Sequence, residues 1–457
     1  MKFGTVLSIA SLAIALAACG SESDNNTGRP PLLPRIFDFG IGLNGNSVLV
    51  ATAAYNTADA DSARVVFWSS DGVKQYTPYT TTPNLGPHIV LGLRPLTSYS
   101  FVVEAVNRIA TVTSDTASAT TGPLPPFLAA ASLAGASPSS GGYILTALRD
   151  GSTAYAVAFD SAGQVAWYRA FPGGVPVVET KQQKNGAISV ILTTSFGGDT
   201  VTGHALALTP DEYEARPYDA PLGSYLDPHE LVEISDVDGH YAGAVYFAYT
   251  ARHLDLHSTG GTSDTVVTGH QIIKRDNDGN ATVLFDAWDH FAISDNVEPT
   301  PGALDFDHPN SLSIADDGNY VVSWRNLDVI TKINSNTGAL MWTLAGPFAT
   351  IASDFTIVAN PLNGFSAQHS VRSLPNGNLL IFDNGTRHAT PRSRAVEYQL
   401  NTGAHTATMV WQYTHTPPYF TAFTGSVQRL KNGDTLIGWT YGSPLVATEV
   451  DAAGSVV

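Results

Sequence analysis

Beyond residue 140 the chain repeats a pair of hairpin patterns, and this repetition restricts its possible folds more than any other feature. One half of the unit is an apolar run, a tight turn and a second apolar run. Its turns are Lys184-Asn-Gly186, Asp316-Asp-Gly318, Pro375-Asn-Gly377 and Lys431-Asn-Gly433. Asn-Gly and Asp-Gly between alternating apolar runs are the strongest short-range hairpin signal. The other half is a strand, a turn with glycine and a strand that often ends in tryptophan. Ala156–Trp167 turns at Gly163, Ile333–Trp342 at Gly338, and Val396–Gly403 leads to Trp411. The glycines at 279, 338 and 403 lie 59 and 65 residues apart. Two hairpins make a four-stranded blade, which cannot bury both faces alone and must stack on its neighbours around an axis. The expected fold is therefore all-β, with a six-bladed β-propeller over roughly 142–172, 177–221, 227–290, 306–346, 365–415 and 423–457. The last unit stops at Ser455-Val-Val457, short of a terminal tryptophan. Either the chain is cut short there or the segment around Phe127–Leu133 supplies a closing strand.

The residues before the propeller divide into three parts. Met1-Lys2 and the apolar stretch Val6–Ala18 end in Leu16-Ala-Ala-Cys19, with a stretch too short to span a bilayer as a helix. The single cysteine of the chain thus falls where a bacterial lipoprotein signal requires one, so residues 1–19 read as a lipoprotein signal with Cys19 lipidated. Residues 20–34 are a polar tether, and the destination is the cell envelope. No aspartate follows Cys19, which points to the outer membrane. From 35 to 122 short alternating runs (Ser47–Tyr55, Ala63–Trp68, Ser100–Val106) suggest a small β-sandwich. Leu93-Arg-Pro95-Leu-Thr97-Ser-Tyr99 resembles a fibronectin type III signature, with Tyr99 bonding back to the backbone. Gly122-Pro-Leu-Pro-Pro126 is a stiff boundary before the propeller at 123–457.

Composition removes several function classes. One cysteine excludes internal disulfides and thiolate metal clusters. A formal net charge of −17 with no basic run argues against nucleic acid, which is held by patches of Lys and Arg. There is no Gly-x-Ser-x-Gly, His-Glu-x-x-His or phosphate loop.

The chemistry-bearing residues lie at the starts of inner strands, which line a propeller's channel. Three consecutive units place a histidine there: Asp227-Pro-His229-Glu, Asp307-His308-Pro-Asn310 and Gln368-His369-Ser-Val. The step from the histidine to the last apolar residue of the strand is 5, 6 and 5 residues. Three imidazoles are therefore expected on one patch at the channel mouth, with Arg325 of Ser323-Trp-Arg325-Asn326 brought to the same region. A repeated structural histidine is the alternative, and a three-histidine zinc site is another. The remaining histidines, His270 among them, read mostly as surface or turn residues. Asp236-Val-Asp238-Gly and Asp276-Asn-Asp278-Gly read as turns rather than calcium loops.

Over about 140–457 these ordered motifs resemble the bacterial arylsulfate sulfotransferases, which work without a nucleotide sulfate donor. The resemblance implies a six-bladed propeller on a smaller β-domain, with the site at the centre of the channel. It implies transfer of a sulfuryl group from an aryl sulfate to a phenolic acceptor through a sulfohistidine, with no metal or diffusible cofactor. By matching segments, His369 is the nucleophile, His308 and Asn310 hold sulfuryl oxygens, Arg325 is the arginine and His229 the remaining histidine. The residue types suit the chemistry, because sulfuryl transfer spreads charge over oxygens that fixed donors can stabilise. Two other readings stay open: a non-catalytic surface propeller binding a ligand or protein, and a metal-dependent hydrolase.

Overall fold

The computed structural model describes residues 32–81, 88–135, 142–194, 203–209, 215–298, 304–439 and 447–457. The expected lipoprotein signal, Cys19 and most of the expected tether lie outside the described residues. The regular structure of the described chain is nearly all strand. Among the described residues no helix is long and apolar enough to cross a membrane.

The front unit consists of two antiparallel sheets. One orders Arg35–Leu43, Ala51–Ala58 and His88–Val90; the other orders Gln75–Tyr76, Ser62–Trp68, Ser98–Val106 and Thr111–Thr113, with Ala117–Thr120 also on Ser98–Val106. Strand Ala51–Ala58 shows why they stack: Ala51, Ala53, Tyr55 and Thr57 are buried in alternation. The Tyr99 hydroxyl accepts a hydrogen bond from the Arg94 backbone N–H at 2.9 Å, as the sequence suggested. The unit is not insulated from its neighbours. Val50 packs with Ala154, Ala156 and Val190, and Leu49 with Tyr155, Val157 and Tyr168, so its core runs into the adjoining sheets.

From Ile144 onward six mainly antiparallel sheets succeed one another in chain order among the described residues. Leaving aside Thr356–Val358, which pairs in parallel at the far edge of the fifth sheet, their first strands are Ile144–Asp150, Val177–Gln182, Tyr225–Ser235, Pro309–Ile314, His369–Ser373 and Ser426–Arg429. Each first strand touches the first strand of the next sheet, which makes a propeller-like stack with these strands innermost. The expected turns are where the sequence put them: Gly186, Gly318, Gly377 and Gly433 all adopt positive φ between paired strands.

The repeated second-half glycine does more than turn the chain. A Cβ on Gly338 would stand 2.0 Å from the Leu284 carbonyl oxygen in the preceding sheet, and one on Gly163 would stand 2.0 Å from that of Leu133. Only glycine lets these turns dock against the neighbour.

That contact also corrects one expectation. Phe127–Leu133 forms no closing strand: Pro126–Ala129 is a short helix, and Leu133 donates its N–H to the Gly163 carbonyl at 2.9 Å against the first sheet. The last sheet gains its own return instead, where Val456 bridges to Val450 and Val457 N–H reaches the Glu449 carbonyl.

Candidate active site

The three histidines singled out by spacing all sit where an inner strand is distorted. Register shifts fall between Leu226 and Leu231, Pro309 and Ser311, and His369 and Arg372. Such bulges re-aim side chains that regular pleating would send elsewhere. Non-glycine residues in the left-handed region cluster at the same place: His308 (φ 46°), Asp328 (52°), Ala367 (50°), Ser370 (50°) and Thr424 (61°). Each such residue costs on the order of 1–3 kcal/mol and persists only where the surroundings dictate it.

His369 is buried and both ring nitrogens are engaged. Nδ1 lies 2.7 Å from Asn384 Oδ1 and 3.1 Å from the Ala367 carbonyl, so it carries the proton. Nε2 then presents its lone pair and accepts the Thr424 N–H at 3.0 Å. Burial holds the imidazole well below the ordinary histidine range, and the Arg325 guanidinium adds to that, while Asn384 pulls the other way. The ring is therefore neutral at neutral pH, with one defined tautomer. Asn384 also donates to the Thr421 and Thr424 carbonyls, each at 2.9 Å, and so fixes His369 and the 421–424 segment together. Next to Thr424, a Cβ on Gly425 (φ 105°) would stand 2.3 Å from the Phe382 ring, which makes glycine obligatory there.

His308 and His229 meet edge to face with ring centroids 4.5 Å apart. His308 Nδ1 is bonded to Asp305 Oδ2, and His229 Nδ1 lies 3.0 Å from Asp227 Oδ1. Burial lowers the His308 pKa; Asp305 opposes this, and the charges of His229 and Arg325 reinforce it. Arg325 lies on the turn after strand Tyr320–Trp324. It binds Glu298, donates to Asn326 Oδ1 at 2.7 Å and reaches the Ala422 carbonyl at 3.3 Å, while its Nε is buried without a partner. Asn310 spends an amide N–H on the Gln368 carbonyl at 2.8 Å, tying the fourth sheet to the residue before His369. Its Oδ1 is buried and unpartnered. Gln368 itself is fully buried and donates to Ser323 Oγ and to the Trp324 and Val329 carbonyls, which anchors that junction.

All five residues singled out in the sequence thus surround one region, linked by direct contact or by the electrostatic influence of Arg325, His308 and His229 on His369. Several partners escaped sequence reading: Asn384, Thr424, Glu298 and Arg387, whose guanidinium shares Glu298 with Arg325. The largest omission is His270. Sequence reading left it among surface and turn residues, yet it is buried at the centre of the group between Asp227 and Asp307. Its strand shows no histidine-before-hairpin signature, because His270 lies within strand Thr265–Asp276 rather than at a strand start. Its neighbour arrives by a parallel pairing of Leu304–Asp305 with Val267–Thr268, which spacing along the chain does not announce. His388 is also buried, 3.4 Å from Asp383. Asp236 and Asp276 do cap tight turns, accepting the backbone N–H groups of His240 and Asn280.

A neutral imidazole whose Nε2 lone pair meets only a backbone N–H, two carboxylate-oriented histidines and a guanidinium beside the inner strands make a site suited to an anionic group. The chain belongs to the arylsulfotransferase (ASST) family, which matches residues 130–448 and is a family of sulfotransferases. That places the protein among enzymes of the transferase class acting on small-molecule donors and acceptors. Comparison with curated protein sequences gives no match. Among solved structures, a protein of unknown function from Bacteroides caccae aligns at 15% identity over 66% of this chain and 88% of its own, with a TM-score of 0.40. A streptogramin B lyase aligns at 14% identity over 71% and 84%, TM-score 0.36. The virginiamycin B lyase of Staphylococcus aureus aligns at 11% identity over 76% and 89%, TM-score 0.32.

Proposed function

We propose that this protein transfers a sulfuryl group from an aryl sulfate to a phenolic acceptor through a sulfohistidine at His369. The observation that carries the reading is the neutral, buried imidazole of His369 with its Nδ1 proton held by Asn384 and its Nε2 lone pair capped by a single backbone N–H. In the first half, Nε2 attacks sulfur and the S–O bond to the aryl group breaks. The aryl oxygen departs as the phenolate. In the second half, the acceptor hydroxyl gives its proton to neutral His308 or to His229, its oxygen attacks sulfur, and the S–N bond breaks; the histidine then passes that proton to the phenolate or to solvent. The Thr424 N–H that caps Nε2 is released by the attack and becomes a donor for a sulfuryl oxygen. Arg325 supplies fixed positive charge for the same oxygens. Asn310 has one amide N–H beyond the bond to Gln368.

The test is to incubate the protein with a chromogenic aryl sulfate, with and without phenol. Phenol-dependent release, together with a sulfuryl mass adduct on the His369 peptide, is expected. Release with water alone would make the protein a sulfatase, and no release with no adduct would sink the reading.

The same reading takes 123–457 as a six-bladed propeller and 35–122 as a fibronectin type III-like support. The protein would be held at the outer membrane by a lipid on Cys19. Incorporation of labelled palmitate that disappears in Cys19→Ser is the result that supports the anchor, and a Cys19→Ser protein still in the membrane fraction would refute it.

A further inference from the structure

We propose that His270 is a positioning residue for the transfer: one buried imidazole that ties together the carboxylates orienting His229 and His308. The inference rests on the sulfuryl-transfer reading for its functional part, and on geometry for the rest.

The chain of contacts is continuous. His270 Nε2 lies 3.1 Å from Asp227 Oδ2, and Asp227 Oδ1 lies 3.0 Å from His229 Nδ1. On its other side His270 Nδ1 lies 2.5 Å from Asp307 Oδ1 and 3.7 Å from Asp305 Oδ1, and Asp305 Oδ2 holds His308 Nδ1. Asp307 closes the loop by accepting the backbone N–H groups of His270 (2.9 Å) and His308 (2.8 Å). Both ring nitrogens of His270 therefore face carboxylate oxygens, which accept and do not donate. Only the imidazolium satisfies both at once. Burial works against that charge, but Asp307 and Asp305, with the hydrogen bonds to Asp227 and Asp307, outweigh it and raise the pKa well above the ordinary range.

The charged groups facing His270 are Asp227 and His229 on the third sheet's inner strand, and Asp305, Asp307 and His308 on the segment entering the fourth. The Tyr249 ring lies 5.7 Å away. Three carboxylates this close need a cation among them. His270 supplies it without facing the substrate. It does two things for the site. It fixes each aspartate's rotamer, and so holds the Nδ1–H tautomer of His229 and His308 with Nε2 left for proton transfer. It also cancels part of the negative field that would otherwise favour the charged form of His308.

The cluster's donor atoms have the spacing of a metal site, since one ligand atom each from His270, Asp305 and Asp307 lie within 4.8 Å of one another. With an imidazolium at its centre the cluster needs no ion, and the two possibilities give opposite results.

The closing experiment has two arms. In the first, the full protein labelled with 15N-histidine is titrated by NMR, and His270 is assigned by its loss in His270→Gln. A doubly protonated His270 up to at least about pH 8 is expected, because carboxylates stabilise the charged form. Titration near 6.5, or a metal-bound shift reversed by chelator, would overturn the proposal. In the second, kcat against pH is compared between wild type and His270→Gln. Removing the cation leaves Asp305 a stronger hold on the charged form of His308 and raises its pKa. The acid limb should then move up by about one unit, with kcat at pH 7 falling roughly 10- to 100-fold and KM within threefold. A profile that merely scales down at all pH values would make His270 structural only. If wild type transfers no sulfuryl group, the functional reading falls, and the NMR arm still decides whether the charged network exists.

Discussion

Two polar clusters lie along the same inner strands, and they are built to opposite ends. At the distorted ends of these strands sit His229, His308 and His369, with Arg325 on the turn after Tyr320–Trp324. One residue past His229, and three past His369, sit Glu230 and Arg372. Arg372 Nη1 lies 2.8 Å from Glu230 Oε2, Lys181 binds the other carboxylate oxygen, and Leu312 N–H donates to Oε2 at 3.2 Å. Burial opposes the Glu230 charge, but Arg372 and Lys181 outweigh it and bring its pKa down to about 2. Beside it, burial pushes the Glu179 carboxyl up to about 8 against the pull of Lys181. This second cluster resolves its charges by pairing or by protonation. The first leaves Arg325 Nε, Asn310 Oδ1 and Asp305 Oδ1 buried without hydrogen-bond partners. In the second cluster Glu179 Oε2 alone of these four side chains lacks a partner, whereas the first leaves a guanidinium, an amide and a carboxylate each with an unmet polar atom, and that is where a ligand can finish the pairing.

The comparison can be broken by substitution. His369→Ala should abolish transfer, with a loss of about 10⁴-fold or more in kcat and little change in Tm, because it removes the group that splits the reaction. Arg372→Ala should do the reverse. It leaves Glu230 buried with half its pairing, so destabilisation of about 3–5 kcal/mol by denaturant unfolding is expected, with kcat and KM intact at low temperature. If instead it abolished activity in folded protein, the division between the clusters would be wrong. Arg325→Lys should cost roughly 10²-fold in kcat, since an ammonium cannot reproduce the guanidinium's spread of donors. The acid limb of the wild-type profile should lie below pH 6.5, because His369 and His308 are both shifted down and stay neutral as pH falls.

The smallest expected effect concerns Glu179. Its folded pKa is raised, so between the unfolded value near 4.5 and about 8 the unfolded chain releases a proton that the folded chain keeps. Stability from this group therefore falls as pH rises through that window. Glu179→Gln should flatten the difference in Tm between pH 5 and 8.5 relative to wild type, and an unchanged slope would show that Glu179 is not protonated in the fold.

Much of this was legible in the chain. Turn chemistry and apolar alternation located the sheets to within a few residues, because tight turns and pleats are local physics. The three strand-start histidines were legible for the same reason. The remainder was carried by pairings between distant segments. His270 meets Asp307 only because Leu304–Asp305 adds to strand Thr265–Asp276 in parallel, after a long excursion. Asn384 and Thr424 reach His369 from 15 and 55 positions further along the chain. The Phe127–Leu133 segment misled because an apolar stretch beside an unfilled sheet reads as a strand, and its Pro125-Pro126 start favours a helical turn.

The continuity of core through Leu49 and Val50 bears on how the molecule comes apart. Val50 and Leu49 are fully buried against residues of the first two propeller sheets. A cut in Gly122–Pro126 would therefore strip a wall from those sheets instead of releasing an independent module. The front unit and the first sheets should melt together. Force applied to the front unit would reach the first two sheets directly, so the two side chains that complete the front core also hold those sheets in place.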